Sequence, residues 1–396
     1  MKSYHLLFLA SALLFGSCKK DDNTQKKDDV VYDNGPTDSL RINQIQIIAS
    51  HNSYHLKTDS AVFQFLVRLD SLGALPAEYN PIGIDYWHLP LAEQMSNYGV
   101  RGLELDIYND PQGGHFYNRA GYTFTGRYAE SNIDELNEPG FKIIHIPDFD
   151  FNTTNYTFKS ALQDVRNWSL SHPNHLPIFI NIETKEDAVS DVLNISNLVV
   201  PIPYDADATN KLDEEIKSVF GNDLDKVITP DDVRGNYSTL EAAALAGNWP
   251  KLAEARGKVV FILEGAAENE YKAGHPSLQG RAAFVYSNPG TPEAAFVILN
   301  NPVGSFSQIQ QRVGQGYIVR TRADSNTDEA RSGDYTNMTA AFNSGAQITS
   351  TDYYRPDPRA GDGTWTNFTV RFPGGELARI NAISAAGQTN LGVIKE

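Results

Sequence analysis

"FKIIHI" at residues 141–146, "TFKSALQDVRNWSLSHP" at 157–173 and "LPIFINIE" at 176–183 form the stretch whose reading decides the fold. The first and third segments are short apolar runs rich in isoleucine and phenylalanine, the composition of strands. Between them Phe158, Leu162, Val165 and Trp168 recur at helical spacing, and the pattern stops at Pro173. Strand, helix, strand over 141–183 is a βαβ unit, and parallel strands need such a crossover.

The same alternation extends outward. "IQIIAS" at 45, "VRGLELDI" at 100, "KVVFILEG" at 258, "GYIVRTR" at 316 and "AQITSTDYY" at 346 read as strands, and "DKVITP" at 225 as a weaker one. With the two in the βαβ unit they make eight, the number a closed barrel requires. Segments 56–98 and 107–140, rich in Tyr, Gly, Asn and Pro, read as long loops after the first two strands, and loops of that length are usually functional. The expected fold is therefore α/β: a TIM-like (β/α)8 barrel over residues 42–396, distorted by those loops. An open doubly wound sheet is the competing architecture, weakened because no G-x-G-x-x-G turn follows the first strand.

Composition narrows the function. The 396 residues hold 33 Lys and Arg against 49 Asp and Glu, a formal charge of −16, and no basic run is present. Nucleic acid is excluded as a partner, as is strong electrostatic docking on anionic membranes. At the N-terminus Lys2 precedes the apolar "LLFLASALLFGS", which ends at Cys18, the sole cysteine. Residues 1–17 read as a signal peptide, too short to span a membrane, and Cys18 as the lipid-bearing first residue of a bacterial lipoprotein. "CKKDDNTQKKDD" opens a charged tether, 18–41, with nothing apolar to pack, so it is expected to be disordered. The expected location is the cell envelope, on the outer membrane and facing outward, or otherwise secreted. One cysteine permits no disulfide within the chain, and nothing implies an obligate protein partner.

Strand alternation places the candidate chemistry. In "VRGLELDIYND" Glu104 and Asp106 share one face, with Leu103, Leu105 and Ile107 on the other. In "IFINIETKED" Phe179, Asn181, Glu183 and Lys185 share a face. Carboxylates this close repel unless a cation or proton lies between them. Either they are strand-end acids paired to Arg101 and Lys185, or Glu104, Asp106, Glu183 and the Asn52 amide form a set of hard oxygen ligands. Four oxygens with no cysteine suit Ca2+ or Mg2+ rather than zinc, and three carboxylates favour the larger Ca2+. The strands within "IIASHNSYHLK" and "FKIIHIPD" each end at a histidine, His51 and His145, the latter with Asp148 three residues on. Two imidazoles flanking a metal are what phosphodiester cleavage needs, one taking a proton and one giving it. His172 and His175 read as surface residues, His5 falls in the signal, and His55, His88, His115 and His275 lie in loops without evident partners.

These residues resemble a known family. "SHNSY", "RGLELDIY", "KIIHIPD" and "LPIFINIE", followed by "TPDDVRG", "ARGKVVFILEG", "GYIVRTRADSNTDEARSGD" and "SGAQITSTDYY", look like the calcium-dependent phosphoinositide phospholipases C, above all the secreted bacterial branch, over roughly residues 42–360. The resemblance implies cleavage of phosphatidylinositol or a related inositol phospholipid to diacylglycerol and a cyclic inositol phosphate. It implies His51 as the base, His145 as the acid, and Asn52, Glu104, Asp106 and Glu183 as Ca2+ ligands. Arg320, Arg322 and Lys185 are candidate phosphate contacts, or else the arginines pair with Asp324 and Asp328; Tyr353 or Tyr354 is a candidate to stack on the inositol ring. A glycerophosphodiester phosphodiesterase is the rival enzyme, although its opening histidine is followed by Arg-Gly where this chain has Asn52. A tethered protein that only binds a glycan or inositol headgroup is the rival of a different class.

Overall fold

Eight parallel strands wind around one axis in the computed structural model, which describes residues 35–76, 79–193 and 195–396. The expected signal, Cys18 and the tether up to residue 34 lie outside the described residues. The strands are β1 (Ile45–Ser50), β2 (Gly102–Tyr108), β3 (Ile178–Thr184), β4 (Val259–Gly265), β5 (Phe284–Val285), β6 (Phe296–Ile298), β7 (Ile318–Arg322) and β8 (Ile348–Thr351). Each pairs with its sequence neighbour, and β8 returns to β1. Between β5 and β6 closure is a single bridge, Tyr286 to Phe296, with the Ser287 amide donating to the Phe296 carbonyl at 3.1 Å. The architecture is the expected TIM-like barrel.

Two of its strands differ from those expected. "FKIIHI" is a strand only at Lys142–Ile143, where it runs antiparallel to the end of β2, with Ile143 beside Ile107. It caps β2 and occupies no place in the barrel, so the crossover into β3 starts from β2 itself. "DKVITP" contributes one bridge, Val227 to Val259, because Thr229 and Pro230 start a short helix there. The missing strands are β5 and β6, which are two and three residues long and carry the same tetrapeptide, AAFV, at 282–285 and 294–297. Runs so short show no alternation.

The helix expected between the strands is present at Phe158–Ser171, capped by the Thr157 hydroxyl, and buries Phe158, Leu162, Val165 and Trp168 as its spacing requires. The segment expected as a loop at 56–98 holds two helices, Ser60–Ser71 and Leu91–Tyr98. The folded body also begins before residue 42: Leu40 is buried in the core and Asp38 pairs with Arg256 at 2.7 Å. At the other end Ala378–Ile380 adds an antiparallel strand to the start of β1, and β1 pairs with β2 only at Ala49 and Gly102. A side chain at 102 would put its Cβ 2.4 Å from that of Ala49, which is why this position is glycine. No helix among the described residues is long and apolar enough to cross a membrane.

Candidate active site

Parallel register brings the polar strand ends to one mouth of the barrel. Glu104 lies beside Asn181, Asp106 beside Glu183, and Glu183 beside Glu264. Oxygens of Glu104, Asp106 and Glu183 fall within 4.8 Å of one another. Arg101 takes no part, since its guanidinium grips Glu396 and the Met95 and Val100 carbonyls. Arg320 is buried within the barrel, bonded to Glu104 and 3.9 Å from Glu264. Burial pushes the Glu104 carboxyl up to about 8 in spite of Arg320, and Glu264, Asp106 and Glu183 push the same way. Such crowding is relieved by a cation.

The donor set fits a hard cation. Asn52, at φ 43°, gives its amide N–H to the Tyr86 hydroxyl at 3.0 Å, leaving its buried Oδ1 without a partner among the described residues. Asp106 is likewise bonded through one oxygen, to Lys185 at 2.7 Å, with the other unpartnered. Buried acceptors left open in this way call for a donor or a metal. Lys185 also lies 3.6 Å from Glu183, so the pairing expected for that lysine occurs alongside the cluster.

Both candidate histidines face one cavity of about 380 Å3, together with Asn52, Glu183, Lys185 and Arg322. His51 follows β1, and its Nδ1–H donates to Asp352 Oδ1 at 2.8 Å, which turns Nε2 toward Glu104 at 3.5 Å. Burial, with Arg322 beside it, pushes the imidazole down to about 3, so it is neutral at pH 7. His145 is not at a barrel strand's end; it lies just after the Lys142–Ile143 cap, and its Nδ1–H donates to Asp150 Oδ2 at 2.7 Å. Asp148 instead accepts the Ala120 and Val199 amides, both at 2.7 Å, and ties loops together. Burial raises Asp150, but the charge of His55 and hydrogen bonds from both histidines outweigh it and hold the carboxyl below the usual range.

The remaining candidates fall on both sides of the cavity wall. Arg322 lines the cavity, 3.3 Å from Asp352, whereas Asp324 receives the Asp352 amide and pairs with neither arginine. Tyr353 is in the core against Trp365 and Phe368, so no ring can stack on it from the cavity, and the Tyr354 hydroxyl accepts the Leu89 amide. His175, expected at the surface, is buried and bonded to Ser169 at 2.7 Å. Asp352, Asp150 and His55 were not anticipated. Extending the alternation of β8 through Ile348, Ser350 and Asp352 would have found the first; no spacing rule separates Asp150 from Asp148.

The mouth has two lobes. Beyond His51, Glu183 and Arg322, a second cavity of about 570 Å3 is lined by Glu264, Glu268, Asn288, Asn300 and Arg320. The first cavity carries an apolar wall of Leu66, Ile84, Ile146, Phe149, Val189 and Leu193.

A family model described as phosphoinositide phospholipase C, Ca2+-dependent, matches residues 40–382. Among solved structures, the calcium-dependent phosphoinositol-specific phospholipase C of the Gram-negative bacterium Pseudomonas sp., in a myo-inositol complex, is 19% identical, with 87% of this chain and 96% of that chain covered and a TM-score of 0.50. The calcium-dependent phosphatidylinositol-specific phospholipase C of Streptomyces antibioticus is 17% identical over 80% of this chain and 95% of that chain, at a TM-score of 0.47. A glycerophosphoryl diester phosphodiesterase from Parabacteroides distasonis is 10% identical over 83% and 94%, at 0.30. No curated protein matches.

Proposed function

Because this chain belongs to the Ca2+-dependent phosphoinositide phospholipase C family, and so to the phosphodiester-cleaving enzymes, we propose that it cleaves phosphatidylinositol-type lipids with His51 as general base and His145 as general acid. One observation carries the assignment: both imidazoles face a single cavity, each with Nδ1 on a buried carboxylate, beside the Glu104, Asp106 and Glu183 cluster. The inositol 2-hydroxyl gives its proton to His51 Nε2 as its oxygen bonds to phosphorus. The bond from phosphorus to the glycerol oxygen breaks, and that oxygen takes a proton from His145 Nε2. Diacylglycerol and a cyclic inositol phosphate leave. Asn52, Glu104, Asp106 and Glu183 would hold the Ca2+, whose charge lowers the pKa of a nearby hydroxyl and neutralises phosphate. Arg322 and Lys185 are cations that face the first cavity and would meet the phosphate, the polar lobe suits a polyol, and the apolar wall suits the glycerolipid.

The test is product analysis by phosphorus NMR on phosphatidylinositol vesicles and on glycerophosphoinositol, with and without chelator. A cyclic phosphate that disappears with chelator is expected, and His51→Ala should lose ~100-fold or more of the turnover. Cleavage of the deacylated compound alone, without a cyclic product, would point to the glycerophosphodiesterase reading. We further propose that Cys18 carries a lipid that holds the enzyme at an envelope membrane; Cys18→Ala should release it into the soluble fraction.

A further inference from the structure

We propose that His55 is a positioning residue for His145, acting through the carboxylate the two share. The inference rests on His145 being the proton donor to the leaving group. Asp150 is fully buried, and its Oδ2 is 2.7 Å from His55 Nε2 and 2.7 Å from His145 Nδ1, while its Oδ1 accepts the Thr58 hydroxyl at 2.6 Å. Both carboxylate oxygens are thus committed, and the plane of the group is fixed.

His55 is held in turn. It has no exposed surface, its ring lies 4.5 Å from that of Tyr86, and its amide donates to the Asn52 carbonyl at 2.8 Å. Its Nδ1 has no partner among the described residues, so its imidazole is polar-anchored through Asp150. A buried imidazole is costly to keep unless its hydrogen bond is used.

The need for such a device follows from where the two histidines sit. His51 extends directly from β1, and its partner Asp352 directly from β8, so barrel strands set their geometry. His145 has no such support, being on a bend within the excursion between β2 and β3. His55 is four residues past His51 on the same segment. Asp150 therefore joins the loop that carries the acid to the loop that carries the base, and the pairing continues in Leu56 to Asn152 and Thr154 to Tyr54 backbone bonds. Without the His55 donor, Asp150 can turn about its side-chain bonds and His145 Nε2 loses its fixed direction into the cavity.

Leaving-group dependence tests this. A diacylglycerol oxygen needs a proton as it leaves; a nitrophenolate does not. His55→Phe should lower kcat on phosphatidylinositol by about 10- to 100-fold yet change kcat on 4-nitrophenyl myo-inositol phosphate by less than about threefold. His55→Gln, whose amide reaches the same oxygen, should return phosphatidylinositol turnover to within about fivefold of the wild type. Equal losses on both substrates mean a merely structural role and overturn the proposal, as does no loss on phosphatidylinositol. If His55→Phe does not fold, Thr58→Val, which frees the other oxygen, must show the same contrast or the proposal fails. His145→Ala is the reference: contrast there with none in the His55 variant overturns this inference alone, whereas equal losses in His145→Ala overturn the acid assignment and this inference with it.

Discussion

Asp352 decides which nitrogen of His51 faces the cavity. With Nδ1–H donated to the carboxylate at 2.8 Å, the Nε2 lone pair is left toward the cavity, and burial keeps the ring unprotonated. Asp352→Asn keeps the volume but can offer an N–H to Nδ1, which moves the ring proton to Nε2 and removes the proposed base. Steady-state kinetics should then show kcat lower by ~100-fold or more with KM within about threefold; an unchanged kcat would remove Asp352 from this role. Glu104 carries two duties at once, since it is a candidate calcium ligand and the bonded partner of buried Arg320. Glu104→Gln leaves that guanidinium with Glu264 at 3.9 Å as its nearest charge. With the Glu104 carboxyl pushed up to about 8, its ionised form is disfavoured in the fold, so urea unfolding in chelator at pH 7 should find the Gln variant no less stable than the wild type, and calcium should no longer raise the melting temperature. A loss of stability in chelator would mean that Arg320 holds Glu104 ionised in the fold.

At the scale of elements, the helix Ala206–Phe220 presents Glu215 inward, where its Oε1 accepts the Phe141 amide at 3.2 Å and its Oε2 has no partner among the described residues. Burial raises this carboxyl from the ordinary 4.5 to about 7. Below 4.5 both folded and unfolded chains hold the proton; between 4.5 and 7 only the folded chain does, so its stabilising contribution is lost as pH rises through that window. Glu215→Gln, which keeps an acceptor for Phe141, should match the wild type at pH 4.5 and exceed it by about 3 kcal/mol at pH 8 in urea unfolding. Equal stabilities at pH 8 would show that Glu215 is not strained by its burial. The elements also explain what could be read in advance. Residues carried by regular strands, Glu104, Asp106, Glu183, Arg320 and Arg322, were legible because a period of two fixes which side chains share a face. Asp150 and His55 sit in irregular backbone, where no period operates and partners are chosen by three-dimensional closure. "FKIIHI" misled for a related reason: its composition says strand, but only its hydrogen-bond partner, the end of β2, says that it caps rather than builds the barrel.

For the whole molecule, barrel closure and charge set the remaining behaviour. The seam between β5 and β6 has one bridge, reinforced by Phe284 on Phe296 at 4.9 Å and Trp249 on Phe296 at 5.5 Å. Strands this short leave no sequence pattern, so the count of eight was reachable from the sequence but the membership of two strands was not. The charge of −16, by contrast, is fully legible, and it opposes the approach of the protein to a surface of anionic phosphatidylinositol. That repulsion acts over the Debye length, about 30 Å at 0.01 M salt and 8 Å at 0.15 M, while contact between the apolar cavity wall and lipid is not weakened by salt. Raising NaCl from about 0.01 to 0.15 M at fixed calcium should therefore speed vesicle hydrolysis severalfold. Turnover of a soluble monomeric inositol phosphodiester, which presents one charge rather than a charged surface, should change by less than about twofold over the same range. Vesicle hydrolysis that falls as salt rises would mean that a local basic face, not the net charge, governs docking.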